Sequence, residues 1–509
     1  MLNWVAPLTL TLELVGVSVS IAAILGIIGA WAGSVLQSGG RLSRSIAVML
    51  VGGLLFAVGL PLVLHAGAWE STAGKFGWLM LTQTGARASG TGQYGIFSGL
   101  IAAGWIHGLY GAAIVTLTTW HGVRKTPPAM IQQSRMDLSP MAAWWRVRLP
   151  IAAPWFLLGL LLTALLAASE MTVADLYGFR TVADEFYLFY ATTPSLLSVC
   201  MACALPLVIS ASLVGWMLAG RRPYLATQSD QGQTAAEAYP PLVTGLAGLV
   251  GLALVSLIVG VPLIGLLIKL GHEVVVVDGT VEASWSWGES ATRLLSAPRD
   301  FRSEYQWTAI IALLAGGCSL LIALPLALLG RTNAHWEPWL DGATIIAFVI
   351  PGPIVGMAVV WVFQRSIPGL SYLYQQTLLP TLIAVLVRAV PVSYWVLRSS
   401  FRGISDSIMD TARLDASPVH RSFAIYRPLL ARGWFAASLA GALVASGDLP
   451  ATLPVIPPGV TTVGTRLFGL LHSGARYQEA ALSIWYVLAV VLISFLFVRL
   501  TLASKVKSS

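Results

Sequence analysis

The chain has 509 residues, of which 56% are hydrophobic and 10% charged, against roughly 25% charged residues in ordinary soluble domains, so a soluble globule is excluded. About 285 apolar residues, at roughly 20 per crossing, cap the number of membrane helices near ~14. The net charge of +8 would point to nucleic acid only on a contiguous basic face, whereas here the cations are scattered between apolar runs, so the partner expected is membrane lipid and not nucleic acid.

Apolar windows long enough to cross a bilayer fall at 12–35, 46–69, 96–119, 151–169 and 195–219, and then at 242–269, 306–329, 341–364, 378–397, 432–449 and 481–501. They predict an all-α integral membrane fold of about 11 transmembrane helices. The 49 Gly and 27 Pro lie within these runs, where membrane helices tolerate them, which excludes disorder and collagen. The first window lacks a basic n-region and runs past any small-residue cleavage site, so it is read as a span, with Glu13 at its outer edge. Cys200 and Cys203 stand one helical turn apart in the fifth window with no His nearby, and Cys318 is equally embedded. Neither a metal site nor a disulfide framework is expected.

Segments that follow odd-numbered spans carry 19 of the 30 Lys and Arg residues. That side is therefore cytoplasmic, which puts the N-terminus outside and the C-terminus inside a multi-pass protein of the cytoplasmic (inner) membrane. The polar stretch 221–240 reads as a cytoplasmic linker between a first transmembrane half, 1–220, and a second, 241–509.

The two halves contain a repeat. QQSRMDLSP, from Gln132 to Pro140, matches DTARLDASP, from Asp410 to Pro418, so that Arg135, Asp137, Ser139 and Pro140 each recur 278 positions later as Arg413, Asp415, Ser417 and Pro418. Pro150 and Pro428 share that offset, as do Glu170 and Asp448. Upstream, Pro61/Trp69 and Pro353/Trp361 repeat at an offset of 292, the difference falling in a longer external loop near 70–95. Such a repeat is the signature of a tandem duplication, here parallel in topology.

Each repeated loop has a mechanical reading. A helical run is broken by Ser-Pro, where Ser can cap and Pro fits the first turn of a new helix. In the second copy the new helix would occupy PVHRSFAIYRP, ending at Pro428. Two short helices joined rigidly to membrane spans make a lever for a cytoplasmic partner.

These loops resemble the EAA loop of binding-protein-dependent ABC importer permeases. The first copy ends RVRLP, close to the family's ending, and the second ends IYRP. The segments Ser169 to Tyr187 and Ser446 to Gly474 resemble the fused permeases of the ferric-iron and thiamine importer group, which join two permease halves in one chain. Both loops lack the family's Gly. Either Asp137 and Asp415 occupy its place, or one residue is deleted and they belong to the preceding helix. The resemblance implies two ABC ATPase subunits, one per coupling loop, and an external solute-binding protein. No GxxxxGK[ST] phosphate loop occurs in the chain, so it binds no cofactor of its own, is not an enzyme, and takes its energy from ATP used by partner subunits.

Ionisable residues near spans are the remaining candidates. Glu170 and Asp448 either line a translocation path or gate, or cap helix ends. Arg388, three residues before Pro391, either satisfies a carbonyl freed by that proline, pairs with a carboxylate of another span, or contacts substrate as a residue of the translocation path or gate. The alternative function is an ion-coupled secondary transporter, which would place paired acidic residues in broken helices near the bilayer centre. The isolated His65, His107 and His472 do not make a metal site, and Trp144, Trp145, Trp285 and Trp287 read as interfacial anchors.

Overall fold

The computed structural model describes residues 5–73, 98–190, 208, 239–277, 280–333, 335–415, 426–473 and 476–502. They fall in two packing units, one of Met1–Glu185, Ala219–Phe301 and Leu467–Val487, the other of Phe186–Leu218, Arg302–Arg466 and Leu488–Ser509. Among the described residues nine helices are long and apolar enough to cross a membrane, or ten if a bent pair counts as one span. The all-α membrane fold class is what the sequence predicts. Apart from residue 208, the fifth predicted span, 195–219, and the linker as far as 238 lie outside the described residues.

The first unit opens with α1 (Val5–Ser38), α2 (Arg41–Gly59) and α3 (Leu62–Ala73), followed by α4 (Gly99–Arg124). The window 46–69 is thus not one helix. Leu60 is extended (φ −83°, ψ 138°) ahead of Pro61, because a residue preceding proline is driven out of the helical region. Next come α5 (Pro128–Asp137), α6 (Pro140–Ser169), α7 (Thr172–Leu176) and α8 (Val182–Tyr190). The spans α1, α4 and α6 pack through small residues, as membrane helices do. A Cβ on Gly111 of α4 would lie 2.3 Å from Thr163 of α6 and 3.0 Å from Ala22 of α1. Leu14, Leu54, Ile106, Leu109 and Ile258 form the buried centre of the unit.

The unit continues with α9 (Pro241–Leu270), an antiparallel hairpin β1 (His272–Val277) and β2 (Thr280–Trp285), and α10 (Trp287–Asp300). The hairpin runs in register from His272 opposite Trp285 to Val277 opposite Thr280. It is a β element added to the helical fold, and its β-branched residues flanking an Asp-Gly pair at 278–279 are a hairpin signature in the sequence.

In the second unit α11 (Arg302–Thr332) leads to α12 (Glu337–Val349) and α13 (Gly352–Phe363), which meet at 92°. The window 341–364 is therefore a sharply broken segment, not a straight span. The cause parallels that in the first unit: Ile350 is extended (φ −55°, ψ 125°) ahead of Pro351. Then come α14 (Leu370–Gln376), α15 (Leu379–Arg402), α16 (Asp406–Asp415), α17 (Arg427–Gly447) and α18 (Leu449–Thr452). Pro391 stays inside α15 without ending it. A core of Ala323, Tyr394, Leu397, Phe401 and Leu430 joins α11, α15 and α17. The last helices are α19 (Val463–Ser473) and α20 (Arg476–Leu502), whose residues 476–487 pack in the first unit.

Candidate functional site

The first repeated loop folds as a helix, a break and a helix. Helix α5 starts on Pro128 and ends at Asp137. Leu138 is extended (φ −126°, ψ 145°), and Ser139 accepts a hydrogen bond from the Ala142 amide through its side chain, with Pro140 at the first helical position. The stop and the restart have one cause: Pro140 disfavours helix at the residue before it, and the Ser hydroxyl satisfies an amide that the new helix leaves open. Gln132, Arg135, Asp137 and Ser139 are exposed and Pro140 is half-buried. Asp137 is the last residue of the helix, as in the second of the two alignments that the missing Gly left open.

From Pro140 the chain runs without interruption into the apolar 30-residue α6. Its beginning is pinned by Trp144, which is fully buried and donates its indole N–H to Ser34 Oγ of α1 at 2.8 Å. The exposed turn and the membrane span are consequently one continuous helix, with a π-helical turn over Trp144–Arg148. Trp145 alongside is half exposed. Trp144 thus serves as a buried anchor rather than an interfacial one.

The second loop contributes α16, whose Asp410 is exposed. Arg413 and Asp415 lie on that helix, while Ser417 and Pro418 lie outside the described residues, as does most of the second predicted surface helix. A cluster of charges precedes α16. Arg398 Nη2 is 2.8 Å from Glu337 Oε1 and contacts Asp341 Oδ2, Arg402 Nη2 is 2.6 Å from Glu337 Oε1, and the Tyr394 hydroxyl donates to Asp341 Oδ1 at 3.0 Å. These groups clamp the start of α12 to the last turns of α15, just ahead of α16. The sequence signal was available, because Glu337/Asp341 and Arg398/Arg402 are acidic and basic pairs at the same four-residue helical spacing.

Deeper in the second unit Arg388 Nη1 contacts Asp448 Oδ1 at 3.1 Å, and Nη2 donates to the Ile350 carbonyl at 3.3 Å. The guanidinium therefore pairs with a carboxylate of another span. The carbonyl that it also meets belongs to the α12/α13 break and not to its own helix. Asp448 follows the last residue of α17, outside helical geometry (φ −82°, ψ 73°), and precedes the short α18. It borders a small cavity lined also by Thr308, Ser446, Thr452 and Thr462.

Glu170 stands at the equivalent end of α6, extended (φ −87°, ψ 133°) ahead of the short α7. Its Oε1 accepts from the Thr172 amide at 2.6 Å and from the Thr172 hydroxyl. Helix capping is what its side chain does here. Both repeat-related acids thus sit at a long-helix/short-helix joint but bond differently.

One buried ion pair escaped the sequence reading. In the first unit Lys269 Nζ lies 2.6 Å from Glu479 Oε1, with side chains 6% and 2% exposed, and Ser71 donates to the same oxygen at 3.3 Å. Only the lone charges at the edges of two apolar windows hint at it. The histidines serve structure: His65 bonds the Ala57 carbonyl, His107 the Ala103 carbonyl, and His472 meets Asp175 at 3.1 Å. Among the described residues no three His, Cys, Asp or Glu side chains are grouped to hold a metal.

Apolar helices with small-residue packing, buried charge pairs and an exposed turn continuous with a span define a polytopic helical membrane protein. The comparisons agree. The chain is 30% identical over 186 residues to a protein of Salmonella typhimurium strain LT2, provisionally named as the 2-aminoethylphosphonate transport system permease protein PhnV. The match covers 35% of this chain and 68% of the relative. The same protein in Salmonella choleraesuis strain SC-B67 gives the same figures, and that of Salmonella typhi is matched over 69% of its length. No family model matches. The chain belongs to the family of ABC importer permeases, multi-pass inner-membrane proteins that work with ATPase and binding-protein partners.

Proposed function

We propose that this chain is a two-half translocation subunit of an ATP-driven importer, with permease domains 1–220 and 241–509 joined by the linker 221–240. The observation that carries this reading is the capped break at Leu138–Pro140, which fuses an exposed turn to a 30-residue span. A partner pressing on α5 moves α6 as a rod, and the matching residues Asp410 to Pro418 offer a second pressing point. Two separate ABC ATPase subunits would dock on these loops from the cytoplasm and supply ATP. An external solute-binding protein would deliver substrate on the opposite face, with the N-terminus outside and the C-terminus cytoplasmic. The two joints at Glu170 and Asp448, which share the 278-residue offset, support the tandem duplication.

The substrate is a small solute. The name of the relatives makes 2-aminoethylphosphonate the first to test, with ferric iron and thiamine next from the resemblance of the halves. Glu170, Arg388 and Asp448 act as joints beside the path in this reading, where they transmit motion. The test is purification from membranes in mild detergent, followed by reconstitution with the co-purifying proteins. Two copies of an ATPase per chain and uptake that stops on ATP depletion are expected. Uptake that persists without ATP and follows an ion gradient would establish the secondary transporter instead.

A further inference from the structure

Helix α10 has three faces, and one of them is largely exposed among the described residues, its one ring contact being Trp287 edge-to-face with Trp285. Arg293, Leu294 and Ala297 face inward: the Arg293 guanidinium donates to the Leu270 and His272 carbonyls, both at 3.0 Å, and lies 4.1 Å over the Tyr477 ring. Leu294 and Ala297 pack with Ala480, Ala481 and Ile484 of α20. Thr292 and Arg299 lie on an exposed polar face. Between these faces runs a third stripe, Trp287, Ala291 and Leu295, at four-residue spacing. All three are exposed, Trp287 by 79% and Leu295 by 75%. A helix placed in water would not present such a stripe beside a polar one without something to cover it.

The depth of the helix identifies the cover. The Trp485 indole N–H donates to the Leu294 carbonyl at 2.8 Å. Trp485 lies inside the apolar window Tyr477–Leu496, eight residues from its start, which is about 12 Å along a helix at 1.5 Å per residue. A single residue, Phe301, separates α10 from the span α11. Arg293 of the same helix lies over Tyr477, the first residue of that window, so α10 lies against the flank of the span's first turns, from Tyr477 to Trp485, rather than above its end.

We propose that α10 is an interfacial helix seated at the membrane surface. Trp287, Ala291 and Leu295 contact lipid acyl chains, while Thr292 and Arg299 stand among the headgroups. Residue types and spacing fit this placement: the apolar stripe carries a Trp, the polar face carries an Arg, and the helix is amphipathic. The assignment depends on the membrane fold and not on the importer mechanism.

The test uses the full chain with Cys200, Cys203 and Cys318 replaced by Ala, reconstituted in phospholipid vesicles. Single cysteines carrying a small fluorophore are introduced as Trp287→Cys, Ala291→Cys, Leu295→Cys, Thr292→Cys and Arg299→Cys, all at exposed sites that leave the packed face intact. Lipids brominated on the acyl chain are expected to quench the labels at 287, 291 and 295 severalfold more than those at 292 and 299. Aqueous iodide is expected to give the reverse order. Equal iodide quenching at all five sites overturns the proposal, because the stripe then faces water. Protection of 287, 291 and 295 from both quenchers also overturns it, because protein, such as a docked partner or a second copy, then covers the stripe.

Discussion

Arg388 and Asp448 meet at 3.1 Å with 14% and 2% of their side chains exposed, so both charges are largely shielded from bulk water. Removing one partner of such a pair strands the other, at a cost of about 3–5 kcal/mol, whereas removing both can be nearly neutral. Arg388→Met and Asp448→Leu should each lower the detergent unfolding midpoint strongly, and the double variant should recover most of the loss. Equal, additive losses in denaturant titrations would show that the pair contributes no mutual stabilisation.

The Ser139 cap should be measurable locally. Ser139→Ala removes the acceptor of the Ala142 amide and should weaken the helix start by about 0.5–2 kcal/mol. Ser139→Asp should preserve it. Hydrogen exchange over residues 138–146 is expected to speed up in the first variant alone, with global stability little changed.

Gly316 of α11 tests the small-residue packing of the second unit. A Cβ there would fall 2.6 Å from the Ser438 carbonyl oxygen, a backbone atom that no side-chain rotation removes. Gly316→Val should destabilise by about 1–3 kcal/mol. Gly317, one residue on, has open space around its added Cβ. Gly317→Val is the control, expected to change the unfolding midpoint far less.

Asp184, at the start of α8 outside the spans, gives a pH dependence. Burial, reinforced by the nearby Asp175 charge, raises its carboxyl from 3.8 to about 6. Unfolded, it releases its proton near 3.8, so between pH 4 and 6 the folded state holds the extra proton. Stability falls as pH rises through that window and stays reduced above it, by on the order of 2–3 kcal/mol. Asp184→Asn should therefore raise the melting temperature at pH 7.5 and leave it nearly unchanged at pH 4. An unchanged difference across that range would refute the assignment.

Much of the fold was legible because apolar length is a local property: α1, α4, α6, α9, α11, α15, α17 and α20 all lie on predicted windows. The breaks at Leu60–Pro61 and Ile350–Pro351 were written in the sequence as prolines, but hydropathy averaged over a window cannot see a single extended residue. The capped turn was legible because Ser-Pro acts on its immediate neighbours. The partner of Arg388 was not, since Asp448 is 60 residues away and only packing chooses among the available carboxylates. For Lys269 and Glu479, 210 residues apart, chain order offered still less. The three faces of α10 were half legible: Trp287 reads as an anchor, but the depth that gives it a role comes from Trp485.

The hydrogen bond from Arg388 to Ile350 has a consequence for how a broken helix survives inside a bilayer. Chain turned through 92° leaves backbone carbonyls with no helical partner, and hydrocarbon offers none. Here a guanidinium takes the part that solvent plays at a surface, and its counter-charge comes from the joint at the top of α17. Part of the solvation of the break is thus carried by a side chain, so the bend depends on a residue of a different helix, α15, to hold its shape.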